Sequence, residues 1–322
     1  MVTRTLPSLL AHRALWPLLL SPLAFVGGDY ELRFLAEILI VGTAVLGLDL
    51  LVGLGGLVSL GHAAVFGGAA YAAALLSYNV TTDLTLILLV GIGAGVVLAG
   101  IMGIFVMRAT NLFFLILTLV AAQMLWEVLF HWRGLTGGAD GLRGLPILVL
   151  NLGFASFPLD KAPALVGLSI SLAVVALFTA QSFADAPVGR ALAGYREQPL
   201  RMKALGYISG RIRLIAMLVS GGIAGAAGAL YPFINQYIGL NIVHWSMSAM
   251  MVIMLVIGGV GSLHGAFIGA AVYLSTQTYI SSYTERWQLL VGLIFILTVL
   301  LMPNGIAGKL QRGLHRWKES RS

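Results

Sequence analysis

The chain has 322 residues, of which 59% are hydrophobic and 10% charged, and its mean hydropathy is +0.97. Soluble domains carry about 25% charged residues, and no soluble core could hide so large an apolar fraction, so composition excludes an ordinary soluble fold. Cysteine is absent, which excludes disulfides and thiolate metal sites. The basic residues behind the net charge of +7 lie in short segments between apolar runs, a distribution that orients a protein in a membrane and that nucleic-acid binding does not require.

Ten apolar runs follow one another along the chain, and a helix needs about 20 apolar residues to cross a membrane. Six runs are that long, near 34–52, 84–107, 111–130, 163–182, 212–231 and 287–302. Four are shorter or interrupted by glycine, near 14–27, 60–78, 246–259 and 263–283. Because the runs are continuous rather than alternating, they predict an all-α polytopic membrane protein, with about 8–10 transmembrane helices, some of them short or broken.

The first run is similar to a signal peptide, because Arg4 and Arg13 precede a short apolar stretch at 15–25. Pro17 and Pro22 interrupt it, however, and no small-residue cleavage site follows before residue 29. We therefore expect an uncleaved first span.

Basic residues concentrate in the segment 184–213 and in the tail after Gly308. The positive-inside rule places such segments in the cytoplasm, and four spans between them keep both on one side. The same count brings Arg108 and the N-terminus to that side and leaves the loop 131–162 outside. The prediction is a multi-pass protein of the bacterial cytoplasmic (inner) membrane with both termini in the cytoplasm.

A repeat links the two halves of the chain. The sequence GGLVSL at 55–60 recurs as GGVGSL at 258–263, and a small-residue helix ending in tyrosine follows each copy. Glycine-interrupted segments at matching positions indicate a substrate path in transporters. The alternative is that the glycines only let helices pack closely in lipid. Both interpretations stay open.

Polar and glycine residues in and near the two copies are the candidate lining of such a path. They are Asp49, Gly55, Gly56, Ser59, His62, Gly258, Gly259, Ser262 and His264. Asp49 is a functional candidate because an acid inside a span is costly, although it could instead bond a neighbouring helix.

No enzyme is visible in the sequence. Ser59 and His62 lack the local sequence of a serine protease, and the six histidines are scattered without a metal-binding pattern. A phosphate-binding loop is also absent, because the only Gly-Lys pair, at 308–309, is followed by leucine. The chain therefore has no ATPase site, no metal site and no cofactor of its own, and ATP would have to act on a partner subunit.

The basic loop between the two halves predicts a helix–turn–helix at the membrane surface. A short helix fits 188–196, Pro199 suits the first turn of a second helix, and Gly206 is placed to end it. The loop is either a docking surface for a cytoplasmic protein or a basic segment touching anionic lipid.

Five ordered motifs resemble the permease subunits of branched-chain amino acid ABC importers, of the LivM/LivH type and closer to LivM. They cover nearly the whole chain: LGLDLLVGLGGLVSLGHAAVFGGAAYAAALL, LTGGADGL, REQPLRMKALGYISGRIRLIAMLVSGGIAGAAGALY, MVIMLVIGGVGSLHGAFIGAAVY and LMPNGIAG. The resemblance implies one transmembrane permease domain over 1–322 that contains a cytoplasmic coupling loop at 184–212.

The resemblance also implies partners and sites. The partners are a second permease (LivH-like, or this chain as a homodimer), two cytoplasmic ATPase subunits, an external solute-binding protein and membrane lipid, with no nucleic acid. The ATPase-coupling residues would be Arg196, Glu197, Ala204, Leu205 and Gly206, and the binding-protein contact Gly137, Gly138 and Asp140, where a plain turn is the alternative. Arg201 and Lys203 depart from the pattern, which leaves the identity of the ATPase partner open.

The expected cargo is a branched-chain or other small hydrophobic amino acid. Related permeases carry urea, amides or aromatic acids, and the sequence does not choose among these solutes. A secondary transporter independent of ATP is a further alternative, for which Asp49 is the one strong ion-coupling candidate, and a structural scaffold is a weaker one.

Overall fold

The computed structural model describes residues 14–25, 27–106, 109, 112–151, 156–302 and 304–309. In chain order the α-helices within these residues are α1 (Asp29–Asp49), α2 (His62–Asn79), α3 (Leu84–Val106), α4 (Leu112–His131), α5 (Arg133–Thr136), α6 (Ala162–Asp185), α7 (Pro187–Glu197), α8 (Pro199–Ala204), α9 (Ser209–Asn235), α10 (Trp245–Gly258), α11 (Gly265–Ser275) and α12 (Trp287–Leu301). Five-residue π-helical turns extend α1 over Leu50–Leu54 and α11 over Thr276–Ile280, and short 3₁₀ helices span Trp16–Phe25, Gly138–Asp140 and Leu240–Ile242.

The predicted all-α polytopic architecture is confirmed. Among the described residues, six helices are long and apolar enough to cross a membrane: α1 with its π-helical turn, α3, α4, α6, α9 and α12. The four shorter runs also form helices, namely the first 3₁₀ helix, α2, α10 and α11. Each run is bounded by charged or glycine-rich sequence. The lengths of the apolar runs were therefore sufficient to locate all ten of these helices.

The first run differs from the expected span, because it forms a 3₁₀ helix over Trp16–Phe25 rather than an α-helix. Pro17 and Pro22 have no amide hydrogen and cannot donate to the ladder of an α-helix. Ten residues of 3₁₀ helix rise about 20 Å, which is less than the hydrocarbon thickness of about 30 Å.

Four short strands, which the sequence did not predict, lie together at one end of the helices, here called the strand end. Strand β1 (Leu142–Arg143) pairs antiparallel with β4 (Tyr237–Ile238), and β2 (Val149–Asn151) with β3 (Ser156–Pro158). The Asn151 amide donates to Asp83 Oδ2 at 2.9 Å, which holds the pKa of that carboxyl below its usual value. Arg33, near the start of α1, donates to the Ile234 carbonyl at 3.2 Å and so places the end of α9 here as well.

The two glycine-rich copies lie at the opposite end, here called the break end. Arg213, in the first turn of α9, donates to the Ala109 carbonyl at 2.5 Å, which brings the connection between α3 and α4 to this end. Gly259 lies against the backbone of Asn304, so the end of the described chain is also here. Arg4, Arg13, Arg108 and the tail 310–322, which supported the predicted orientation, lie outside the described residues.

Helix α9 lies at the centre of the bundle and packs against α1, α2 and α3. Glycine makes this packing possible, because a Cβ on Gly95 of α3 would lie 2.7 Å from the Gly225 Cα of α9. In lipid, helices associate through such close approach of small residues, since burying apolar surface gains little there. Helix α1 is also enclosed, with Leu46 and Leu48 fully buried, whereas α4 and α12 expose most of their apolar side chains.

Candidate functional site

The chain breaks its helices twice at the break end, and the turn that leads into the first break contacts the second break. The first break covers 55–61, between the π-helical turn after α1 and the start of α2, and the second covers 259–264, between α10 and α11. Gly56, Gly259 and Gly261 have φ of +64°, +117° and +79°, which only glycine adopts without strain. A Cβ on Gly53, in the π-helical turn, would lie 2.7 Å from the Gly261 Cα. The π-helical turn that precedes the first copy of the repeat is therefore in backbone contact with the second copy.

Asp49 joins the first helix to the second break. Its side chain is fully buried, and Oδ1 accepts the amide hydrogen of Gly261 at 2.7 Å while Oδ2 accepts that of Leu263 at 3.0 Å. Leu263 has a φ of +52°, an uncommon backbone for leucine, and this turn directs both amides toward the carboxylate. The carboxylate therefore satisfies two amide groups that the broken helix leaves without a helical partner.

Hydroxyl groups from two other helices hold one amide of the first break and one in the first turn of α2. Thr118 of α4 accepts from the Leu60 amide at 3.1 Å, and Ser248 of α10 accepts from the Ala63 amide at 2.9 Å. Ser59 accepts from the Gly61 amide at 3.2 Å, and His62 Nε2 donates to the Ala44 carbonyl at 2.9 Å. Ser59 and His62 are both buried. The break is thus fastened to α1, α4 and α10.

The second break uses its own serine in the same way. Ser262 Oγ accepts from the Gly265 amide at 3.0 Å and donates to the Gly259 carbonyl at 2.7 Å. The His264 ring lies edge-on to Trp16, with ring centres 6.3 Å apart. Gly258 ends α10 and lies so close to the Gly265 carbonyl that a Cβ would overlap it. Ser59 and Ser262, which match in the repeat, therefore both cap an amide that follows a glycine break.

The predicted helix–turn–helix is confirmed as α7 and α8, and α7 packs on the first break. Arg196 Nη1 donates to the Gly53 carbonyl, and its side chain lies beside Gly56, where a Cβ would be 3.0 Å from Arg196 Cγ. Leu192 is buried against Gly55, where a Cβ would be 3.2 Å from Leu192 Cδ1. Gly53 therefore lies between the Arg196 guanidinium and Asp49, and the π-helical turn before the first break connects the loop to the second break.

Helix α8 and the turn after it are exposed. Leu200 and Leu205 are 81% and 67% exposed, and Glu197 and Ala204 also face outward. Gly206 adopts a φ of +84° and ends the helix as predicted. An apolar surface bordered by basic side chains is thus presented away from the bundle, as a protein-binding surface requires.

Gly137, Gly138 and Asp140 lie at the strand end, far from the breaks along the helices. Gly137 and Gly138 have φ of +74° and +57° and form a tight turn, and Thr136 accepts from the Gly138 amide at 3.2 Å. Asp140 is exposed. The structure therefore brings the predicted path and coupling residues together at one end and leaves these three at the other.

Sequence reasoning missed four residues of the break end: Gly53, Thr118, Ser248 and Gly261. Thr118 and Ser248 are single hydroxyls in apolar helices, and their partners lie 58 and 185 positions away. The one feature of the sequence that could have identified them is that each is a polar side chain inside a membrane span. In the part of the chain that the structure describes, no three His, Asp or Glu side chains are grouped to hold a metal ion.

Comparisons with known proteins agree with this architecture. The model of the family described as branched-chain amino acid transport system permease component matches residues 31–300. The high-affinity branched-chain amino acid transport system permease protein LivM of Salmonella typhimurium is 26% identical, in an alignment covering 94% of this chain and 74% of that protein. LivM of Escherichia coli gives the same values. LivH of Escherichia coli is 30% identical over 38% of this chain and 40% of its own. No solved structure matches the chain significantly.

Proposed function

The chain belongs to the branched-chain amino acid transport permease family, and we propose that it is the permease subunit of an ABC importer whose ATPases are separate polypeptides. The expected cargo is a branched-chain or other small hydrophobic amino acid, as the names of the LivM and LivH relatives suggest. One permease domain over 1–322 would contain the coupling loop at 184–212. ATP would bind only to the partner subunits.

The observation that carries this proposal is the hydrogen bond from Arg196 to the Gly53 carbonyl. It connects an exposed loop to a broken membrane helix, which a loop that merely touched lipid would not need. Helix α7 is an 11-residue element with Leu192 and Tyr195 buried on its inner side, and we expect it to move as a unit. A displacement of α7 would therefore move the first break.

The exposed residues of the loop support docking to an ATPase. Leu200, Ala204 and Leu205 supply the apolar contact, Arg196 and Glu197 lie at the junction of the two helices, and Gly206 ends the projection. A short helix that inserts apolar side chains into a groove is a common mode of protein recognition. Tyr195 donates to the Tyr207 carbonyl at 2.5 Å and fastens the base of α8 to α7.

Asp49 extends the connection from the first break to the second. Because its carboxylate holds the amides of Gly261 and Leu263, a movement of the first break would pull on the second. The proposed path residues Gly55, Gly56, Ser59, His62, Gly258, Gly259, Ser262 and His264 all lie at this end. The hydroxyl contacts of Thr118 and Ser248 come from two different helices, so their separation would free amide groups for a substrate carboxylate.

We place the break end in the cytoplasm and the strand end outside the bacterial inner membrane. The basic loop lies at the break end, which agrees with the positive-inside rule, and both termini would be cytoplasmic. Gly137, Gly138 and Asp140 would then face an external solute-binding protein. The second permease would be a LivH-like chain or a second copy of this one.

The proposal is tested in proteoliposomes that contain the permease pair, the ATPases and the binding protein. We expect ATP to drive uptake of labelled leucine. Phenylalanine and urea are assayed in parallel, and ATP-driven uptake of urea without leucine would contradict the assigned cargo. Uptake of leucine that proceeds equally without the ATPases would contradict the assigned transporter class.

A further inference from the structure

A pocket of about 380 Å³ opens at the strand end, between α4, the turn at 138–140 and the segment that joins α9 to α10. Its volume falls within the range of small-molecule sites, about 300–1,000 Å³. It is lined by Trp126, Phe130, Ala139, Tyr237, Leu240, Asn241, His244 and Ser246. None of these residues belongs to the break end, so the pocket is separate from the site described above.

Aromatic rings form one wall of the pocket. Trp126 and Phe130, one turn apart on α4, are stacked with ring centres 5.1 Å apart and planes inclined by 11°. The His244 ring meets Trp126 edge-on at 5.7 Å. Such a preformed wall gives an apolar side chain a large contact surface, with little loss of conformational freedom in the rings.

Polar side chains of complementary kinds also line the pocket. The Ser246 amide donates to His244 Nδ1 at 3.3 Å, so in the neutral ring the proton lies on Nε2, which makes no hydrogen bond within the described residues. The Tyr237 hydroxyl and Asn241 Oδ1 both approach the bare Cα of Gly239, where a Cβ would be 3.0 Å from Asn241 Oδ1 and would overlap the hydroxyl. The pocket thus offers N–H and O–H donors and an amide oxygen acceptor.

The position of the pocket relates it to the loop expected to meet the binding protein. Ala139 lines the pocket and stands between Gly138 and Asp140. A solute released above this turn would therefore be next to the pocket. The floor is held close to α2, because a Cβ on Gly67 would lie 2.6 Å from Val243 Cγ2.

We propose that this pocket is the first membrane-side binding site for the transported solute, and that it accepts a zwitterionic amino acid with an apolar side chain. The side chain would pack on Trp126 and Phe130, the carboxylate would accept from His244 Nε2 and the Tyr237 hydroxyl, and the ammonium would donate to Asn241 Oδ1. This inference rests on the proposed function and on the strand end facing outward. An apolar side chain of the binding protein could also fill the aromatic wall, but it would leave the donors and the acceptor unmatched.

The test uses the complete reconstituted transporter and a photoreactive diazirine analogue of leucine. After illumination, labelled peptides are identified by mass spectrometry, with and without excess leucine. We expect leucine-competable labelling within 126–130 and 237–246. Trp126→Ala should lower that labelling about tenfold by removing most of the aromatic wall. The control Trp132→Ala, at a 59% exposed side chain outside the pocket, should leave it within about twofold.

Competable labelling elsewhere in this chain but not in the pocket, or labelling here that leucine does not displace, overturns the pocket assignment even when ATP-driven leucine uptake is intact. Capture of the binding protein by a crosslinker at Asn241→Cys, without competable labelling by the analogue, also overturns it. Competable labelling here in vesicles that show no ATP-driven uptake supports the pocket while contradicting the proposed coupling. The two failures are therefore distinguishable.

Discussion

The carboxylate of Asp49 accepts the amide hydrogen of Gly261 at 2.7 Å, across 212 positions of sequence. This contact unites the two copies of the glycine repeat, because Asp49 precedes the first copy and Gly261 lies inside the second. A buried carboxylate with both oxygens engaged by the backbone is a fixed element of the bundle. Charge-assisted hydrogen bonds of this kind are about twice as strong as neutral ones.

Replacing Asp49 tests this connection. Asp49→Leu leaves the amides of Gly261 and Leu263 buried without acceptors, each costing about 1–3 kcal/mol. Asp49→Asn keeps one acceptor oxygen and should lose about half as much. The melting temperature of the purified permease in detergent measures both. Asp29→Asn, at the exposed start of α1, is the control. Equal melting temperatures for Asp49→Leu and the control would contradict the assigned role.

Contact between the π-helical turn before the first break and the second break is tested at Gly53. A methyl group there would lie 2.7 Å from the Gly261 Cα, so backbone must shift, and we expect Gly53→Ala to destabilise the chain by about 1–3 kcal/mol. The control is Gly93→Ala in α3, where the added Cβ would have no atom of another helix within 4 Å. That change should stabilise its helix by up to about 1 kcal/mol. Thermal unfolding compares the pair, and equal effects in the two variants would argue against close contact.

Docking of the ATPase is tested at Leu205. Because this side chain is 67% exposed, Leu205→Asp should leave the melting temperature of the permease nearly unchanged. It should nevertheless prevent co-purification of the ATPase, since a buried unpaired charge would cost several kcal/mol at the interface, about 3–5. Tyr283→Asp, at a 90% exposed side chain beyond α11, is the matched control. Full recovery of the ATPase with Leu205→Asp would show that the exposed surface of α8 and the turn after it does not bind the ATPase.

Membrane orientation is testable without background labelling, because the chain has no cysteine. Lys203→Cys and Asp160→Cys place single thiols at exposed positions of the break end and the strand end. A membrane-impermeant maleimide added to intact cells should label only residue 160. Labelling of residue 203 from outside would reverse the assignment of the two ends, and with it the proposed roles of α8 and the strand-end pocket.

The helices could be predicted from the sequence because apolar run length is a local property. The turn between α7 and α8 was also predictable, since Pro199 and Gly206 favour helix starts and ends whatever surrounds them. The strand pairs were not, because two- and three-residue strands carry no periodicity. The pairing of Asp49 with Gly261, and the capping of Leu60 by Thr118, depend on how helices pack. Residue spacing along the chain contains no information about such partners.

The prolines of the first run show a different kind of error, in which a signal present in the sequence was given too little weight. Their presence at 17 and 22 was visible in the sequence, and their effect on the helix type follows from the missing amide hydrogens. Apolar length outweighed them in the prediction of a span. The sequence predicted many of the residues of the candidate site. It did not predict the hydrogen bonds between them, above all the one that Arg196 donates, because these depend on the fold.

The central claim is that α7 transmits the work of an external ATPase to the first break through Arg196. The most direct measurement is the amount of leucine taken up per ATP hydrolysed by the reconstituted transporter carrying Arg196→Met. Arg190→Met on the same helix is the control. We predict that Arg196→Met lowers this ratio about tenfold, while the rate of hydrolysis stays within about twofold and the control matches the unmodified protein. An unchanged ratio with Arg196→Met, or equal leucine uptake when the ATPase is omitted, would contradict the account.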